Sequence, residues 1–110
     1  MVSRNGGNMF FVYLLLSQKD QGFYIGYTTN VKNRLREHQD GEVVSTKYRR
    51  PLELIYFEGY LDQRDALGRE KFLKSGSGYR YIKKQLKYFL EDIQLTRGPV
   101  KWPSAITGLA

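Results

Sequence analysis

The chain of 110 residues contains no cysteine and a single histidine, His38. Without cysteine there is no disulfide, no thiolate nucleophile and no cysteine-based zinc or iron–sulfur site. One histidine cannot build a metal site of several histidines. The classes of protein that depend on such sites are therefore excluded.

Long apolar runs are lacking as well. No run reaches the roughly 18 residues that a membrane-spanning helix needs. Residues 1–8 are small and polar and have no apolar core of the kind found in a signal peptide. We therefore expect a cytoplasmic protein without a membrane partner.

Basic and aromatic residues are in excess. The chain has 18 Lys and Arg against 11 Asp and Glu, a net charge of +7. This balance favours an anionic partner, with nucleic acid first and an acidic membrane surface second, over a merely soluble basic protein. Nine tyrosines and six phenylalanines either fill a small core, because each buries a large area, or stack on bases.

The chain has three segments with strand character. An apolar, aromatic run bounded by turn residues predicts a buried strand at 9–16, and a polar turn leads from it to a second strand at 23–27. Residues 52–60 begin with alternating apolar and charged residues and predict the third strand.

Helical patterns occupy most of the remaining chain. Helices are predicted at 28–41, 62–75 and 79–93, with the glycine-rich residues 76–78 breaking the chain before the last one. Residues 42–51 form a polar, basic loop. The order strand, strand, helix, strand, helix, helix predicts an α+β fold, a small three-stranded, mainly antiparallel sheet flanked by three helices.

The length suits one domain. We expect a flexible N-terminus at 1–8, the domain at 9–93 and a C-terminal tail without clear periodicity at 94–110.

Five polar side chains occupy notable positions in these elements. Tyr13 and Tyr24 lie on the two strands of the hairpin, and Arg34 and His38 are one turn apart on the first helix. Glu70 lies near the apolar side of the second helix, an odd place for a carboxylate. Each has an ordinary structural explanation when taken singly: packing for a tyrosine or histidine, solvation for an arginine, an ion pair for a glutamate.

Together these residues resemble the GIY-YIG nuclease family. The second tripeptide of that family is intact in "YIG" (24–26), and the first is degenerate in "FVY" (11–13) but keeps its tyrosine. A helix arginine and a later helix glutamate complete the family's pattern. The resemblance covers about residues 9–90 and is greatest to the small stand-alone bacterial branch.

The resemblance implies a metal-dependent endonuclease that hydrolyses DNA phosphodiester bonds, in DNA repair or recombination. Tyr24 would hold or deprotonate the attacking water, and Tyr13 would orient that water or the phosphate. Arg34 would bind the phosphate and stabilise the transition state. Glu70 would be the protein ligand of one Mg²⁺ or Mn²⁺ ion. His38 would contact the phosphate or assist Tyr24.

Other positions have supporting roles in this interpretation. Gly26 is expected to allow the close approach of backbone or substrate. Basic residues in the loop and on the last predicted helix would grip DNA phosphates, unless they only solvate the surface. They are Lys47, Arg49, Arg50, Arg80, Lys83, Lys84 and Lys87.

The pattern departs from the family in one further respect. Many members carry an asparagine near the last helix of the module, whereas the asparagines here all lie at or before position 33. A catalytically weak, structure-specific DNA-binding module is therefore the alternative, and a component that depends on a partner or on RNA is the third hypothesis. A protein partner would then supply substrate selectivity. The sequence does not distinguish DNA from RNA.

Overall fold

The computed structural model describes residues 8–102. The N-terminus that was expected to be flexible, residues 1–8, lies outside the described range except for residue 8. The part of the predicted tail beyond residue 102 lies outside it as well. The described chain contains three strands and four helices: β1 Phe10–Ser17, β2 Phe23–Thr28, α1 Val31–Gln39, β3 Leu52–Tyr60, α2 Gln63–Leu73, α3 Gly76–Gln85 and α4 Lys87–Arg97.

The strands form one antiparallel sheet in the order β2-β1-β3. β1 is therefore central and almost entirely buried, which explains why its sequence is a continuous apolar run rather than an alternating one. The α+β prediction, with a small antiparallel sheet and flanking helices, is confirmed.

The two faces of the sheet carry separate apolar cores. On one face, Val12, Leu14 and Leu16 pack with buried residues of α2, α3 and α4. On the other face, Tyr13 and Leu15 form a smaller cluster to which α1 contributes. Side chains alternate along a strand, so β1 supplies both cores with successive residues.

The first two helices begin at polar capping residues. Asn30 precedes α1, and its side chain accepts a hydrogen bond of 2.9 Å from the backbone N–H of Asn33. Asp62 precedes α2 and accepts one of 2.9 Å from the N–H of Arg64. Such caps satisfy backbone donors that the first helical turn leaves free.

The prediction that residues 76–78 break the chain is wrong. These residues form the first turn of α3, and the Ser75 side chain caps it by accepting from the N–H of Gly78 at 3.3 Å. A Cβ atom at Gly78 would overlap the carbonyl oxygen and Cα of Leu73. The glycine is there because α3 begins against the end of α2, not because the chain needs a loop.

The prediction of a single helix at 79–93 is also wrong. Two helices, α3 and α4, occupy this part of the chain, so the described residues contain four helices rather than three. The helical conformation is interrupted at Leu86, which has φ −112° and ψ 34°. The second helix, α4, then runs to Arg97. Ile82 before the break and Leu90 and Ile93 after it bury against one core. The bend lets both helices follow that core, although no Gly or Pro marks it in the sequence.

The beginning of the tail packs on the domain. The backbone of Lys101 pairs with the chain beside β2: its carbonyl accepts from Phe23 N–H and its N–H donates to the Gln21 carbonyl, both at 2.8 Å. The Trp102 ring lies 5.2 Å from that of Phe23 and 5.3 Å from that of Tyr79. Within residues 8–102, no helix is both long and apolar enough to cross a membrane.

Candidate active site

Tyr13 and Tyr24 lie side by side on one face of the hairpin. In the register of β1 and β2, Tyr13 is opposite Gly26 and Tyr24 is opposite Leu15, which places both tyrosines on the face of the smaller core. Their ring centroids are 6.3 Å apart. Tyr13 is fully buried, whereas Tyr24 is partly open to solvent.

Gly26 makes room for Tyr13. A Cβ atom at this position would overlap the ring and the hydroxyl of Tyr13. We expected backbone or substrate to approach Gly26 closely. In this structure the group that approaches the glycine is the ring of Tyr13.

His38 packs against both tyrosines. It is 0% exposed, and its ring centroid lies 5.6 Å from that of Tyr13 and 5.1 Å from that of Tyr24. A hydrogen bond of 2.7 Å joins His38 Nε2 to the Tyr13 hydroxyl. A second of 2.7 Å joins His38 Nδ1 to Thr46 Oγ1. Both ring nitrogens are thus engaged.

Burial shifts the pKa values of these two groups further from neutral pH, so that both are uncharged there. Burial first, and then the nearby charge of Arg34, lower the pKa of His38 to about 4. Burial also raises the pKa of the Tyr13 hydroxyl to about 12, although Arg34 works in the opposite direction. Tyr13 and His38 therefore form a neutral, hydrogen-bonded pair.

Arg34 lies one turn before His38 on α1. Its Nη1 donates to Glu37 Oε1 at 2.9 Å, and its side chain is partly exposed. Its pKa is raised, first by the hydrogen bond to Glu37 and then by Tyr13, so it keeps its charge. Its Nε is buried and has no hydrogen-bond partner among the described residues. A donor of the guanidinium thus remains for a further acceptor.

Glu70 reaches the site from α2. Its side chain is 21% exposed, and its Oε2 is 3.2 Å from Nζ of Lys74, the ion pair that an ordinary helix glutamate would form. The charge of Glu70 is nevertheless near enough to raise the pKa of Tyr13. Within residues 8–102, no group of three or more His, Cys, Asp or Glu residues is placed to hold a metal ion.

The basic residues divide into two groups, and neither joins the tyrosines. The first group lies in the loop. There Arg49 donates from Nε to Asp20 Oδ2 at 2.7 Å. Arg50 donates to the Lys47 carbonyl at 2.9 Å, and Lys47 Nζ lies 4.9 Å from the Tyr48 ring centroid. The second group is exposed on α3 and α4, the helices that cover the opposite face of the sheet; its members are Arg80, Lys83, Lys84 and Lys87.

Thr46 is a site residue that the sequence analysis missed. It is 0% exposed and bonded to His38, although it lies in a loop that reads as polar and basic. No motif or periodicity marks it, because the contact depends on how the loop folds back over α1.

A model of the GIY-YIG catalytic domain matches residues 9–85. The chain belongs to the GIY-YIG family. This is a family of nucleases that act on DNA and generally depend on a divalent metal, and the membership predicted from the sequence is confirmed.

Relatives within the family are small proteins of similar length. The chain is 40% identical over 86 residues to a UPF0213 protein of Pediococcus acidilactici, covering 74% of this chain and 81% of that protein. It is 33% identical over 81 residues to the UPF0213 protein YazA of Bacillus subtilis, covering 73% and 77%.

A solved structure is similar too. The solution NMR structure of a UPF0213 protein from Bacillus halodurans is 32% identical, with a TM-score of 0.43, over 83% of this chain and 88% of that one.

Proposed function

We propose that this GIY-YIG protein is a metal-dependent endonuclease that hydrolyses DNA phosphodiester bonds by direct attack of water. The observation that carries the proposal is that His38 packs against both strand tyrosines and bonds to Tyr13, while the charges of Arg34 and Glu70 are near enough to shift the pKa of Tyr13. These groups come from four separate elements, β1, β2, α1 and α2, and packing alone does not require the charges of a guanidinium and a carboxylate near a buried phenol. We expect the activity in the cytoplasm, with DNA repair or recombination as its setting.

The two tyrosines handle the attacking water in this proposal. Tyr24, the more exposed of the pair, holds the water or takes its proton. Tyr13 is fixed by its hydrogen bond to His38 and orients the water or the phosphate. A group held in this way acts without reorganising during the reaction.

Arg34 binds the phosphate. A guanidinium presents a planar fork of donors that matches two phosphate oxygens, and the Arg34 side chain is 37% exposed. Its positive charge stabilises the negative charge that builds up as water attacks.

Glu70 would hold the metal ion. A single carboxylate suits Mg²⁺ or Mn²⁺, because these ions keep several water ligands and also bind substrate oxygens. The Glu70 side chain is partly open to solvent, and its partner Lys74 is a surface lysine that is 45% exposed, so an ion can displace it at small cost. When bound, the ion supplies charge stabilisation for the leaving oxygen.

The proposal is tested by replacing Glu70 with glutamine. Purified protein is incubated with nicked, flapped, branched and duplex DNA, and with RNA of the same forms, in Mg²⁺ or Mn²⁺. We expect wild type to cut at least one DNA substrate and Glu70→Gln to be slower by about 100-fold or more, because several kcal/mol of charge stabilisation are lost. The exposed Glu91 on α4 offers the control Glu91→Gln, which should match wild type.

Equal rates for wild type and Glu70→Gln on every substrate would contradict the mechanism. DNA binding that weakens with salt, without any metal-dependent product, would instead support the binding module.

A further inference from the structure

Thr46 is the one buried residue among the exposed and half-exposed positions 42–51. Its backbone takes part in two consecutive turns: its N–H donates to the Val43 carbonyl at 3.1 Å, and its carbonyl accepts from Arg49 N–H at 2.8 Å. A buried hydroxyl needs a hydrogen-bond partner, and the partner of Thr46 is Nδ1 of His38.

The loop holds Thr46 in place without the help of His38. Arg49 is bound to Asp20 at 2.7 Å, and its carbonyl accepts from the Ser17 hydroxyl at 2.6 Å. The Gln18 N–H donates to the Pro51 carbonyl at 2.9 Å. These contacts attach the loop to the β1–β2 turn, so the Thr46 hydroxyl is a fixed point against which the imidazole is oriented.

The buried imidazole is neutral and therefore has one N–H and one acceptor nitrogen. Which nitrogen carries the hydrogen depends on the partners of the ring. Arg34 is only a donor, and it lies beside the Tyr13 oxygen closely enough to lower the pKa of Tyr13. The hydrogen of Tyr13 must then point away from the guanidinium, and the acceptor on that side is His38 Nε2. The ring hydrogen is left on Nδ1, facing Thr46.

We propose that Thr46 is a positioning residue of this active site: its hydroxyl accepts from His38 Nδ1–H and so holds the ring with Nε2 accepting from Tyr13. The lone pairs of the Tyr13 oxygen then stay available to donors, namely Arg34 and the attacking water. The positions of the hydrogens on His38 and Tyr13 do not depend on the function of the protein. Their consequence for catalysis rests on the proposed nuclease function.

The first test is the tautomer of His38, read from the ¹⁵N shifts of the imidazole at pH 7 without metal or DNA. The chain has one histidine, so the spectrum is unambiguous. We expect the Nδ1–H form in wild type and in Thr46→Ser, which keeps the hydroxyl. Thr46→Val keeps the shape but leaves Nδ1–H without an acceptor, so the preference for the Nδ1–H form should weaken measurably. An Nε2–H tautomer in wild type would overturn the proposal, even if the valine variant did not fold.

The second test is the cleavage rate. We expect Thr46→Val to lower kcat by up to about 100-fold, because a small misplacement of a catalytic group is that costly, with KM nearly unchanged and with recovery in Thr46→Ser. The control is Thr96→Val on α4, because the Thr96 hydroxyl is exposed and donates to a backbone carbonyl at 2.8 Å.

An unchanged tautomer and unchanged kcat in Thr46→Val would refute the role of Thr46. Absence of cleavage by wild type would count against the proposed function alone, since the spectrum still reports on the contact between Thr46 and His38.

Discussion

Arg34 and Arg36 are neighbours on α1 with different surroundings. Arg34 lies beside Tyr13, and its pKa is raised in part by that contact. Arg36 is 53% exposed and pairs with Asp40 at 2.9 Å and Glu42 at 3.4 Å, as is ordinary for an arginine on a helix surface. The two residues thus separate a role in the site from a general effect of positive charge.

We expect Arg34→Ala to reduce cleavage by about 10²- to 10³-fold, the usual loss when a donor to transition-state charge is removed. Arg34→Lys should restore only part of the activity, because an ammonium lacks the planar fork. Arg36→Ala should stay close to wild type. Single-turnover cleavage at saturating protein measures these differences, and similar losses in Arg34→Ala and Arg36→Ala would argue for nonspecific electrostatics.

At the scale of the elements, the junction of α2 and α3 depends on one glycine. Gly78 lies where a Cβ atom would meet backbone atoms of Leu73 and Phe72, whereas a Cβ atom at Gly76 would meet nothing within 4 Å. Both glycines are in the first turn of α3. One of them is required by packing, and the other is not.

Substitution of these glycines should therefore have opposite effects. Gly78→Ala should lower the free energy of unfolding by about 1–3 kcal/mol, because backbone atoms must move to accept the methyl group. Gly76→Ala should raise it by up to about 1 kcal/mol, since alanine favours the helix. Urea denaturation followed by circular dichroism compares them, and equal stabilities of the two variants would contradict the close approach.

At the scale of the whole molecule, the two cores share β1, and a buried imidazole packs against the smaller of them. His38 packs against Tyr13 of the smaller cluster and is fully buried. Its pKa is about 4 in the folded protein, against about 6.5 in an unfolded chain. Between these values the unfolded state binds more protons, so stability increases with pH.

Stability should therefore fall by about 2–3 kcal/mol through His38 as the pH decreases from about 6.5 to 4. Carboxylates also titrate at the lower end of this range, so the contribution of His38 is taken from the difference between wild type and His38→Gln. The measurement is urea unfolding of both proteins at a series of pH values. A difference that stays constant across the window would show that His38 is not buried in its neutral form.

Much of this architecture follows from short stretches of sequence. The three strands, α1 and α2 lie within a few residues of their predicted bounds, because apolar periodicity and helix caps act over a few neighbouring residues. The paired tyrosine motifs, with the later arginine and glutamate, were enough to predict the family. The catalytic roles of these residues stay predictions.

Only the tertiary structure decided the rest. The break at Leu86 follows a core surface that no residue type marks, and Trp102 packs on Phe23 from the far end of the described chain. Thr46 contacts His38 because an ion pair between Arg49 and Asp20 joins the loop of Thr46 to the turn between β1 and β2, which is distant in sequence. Such contacts join segments far apart in sequence, and their energies depend on how the elements pack, which local patterns do not encode.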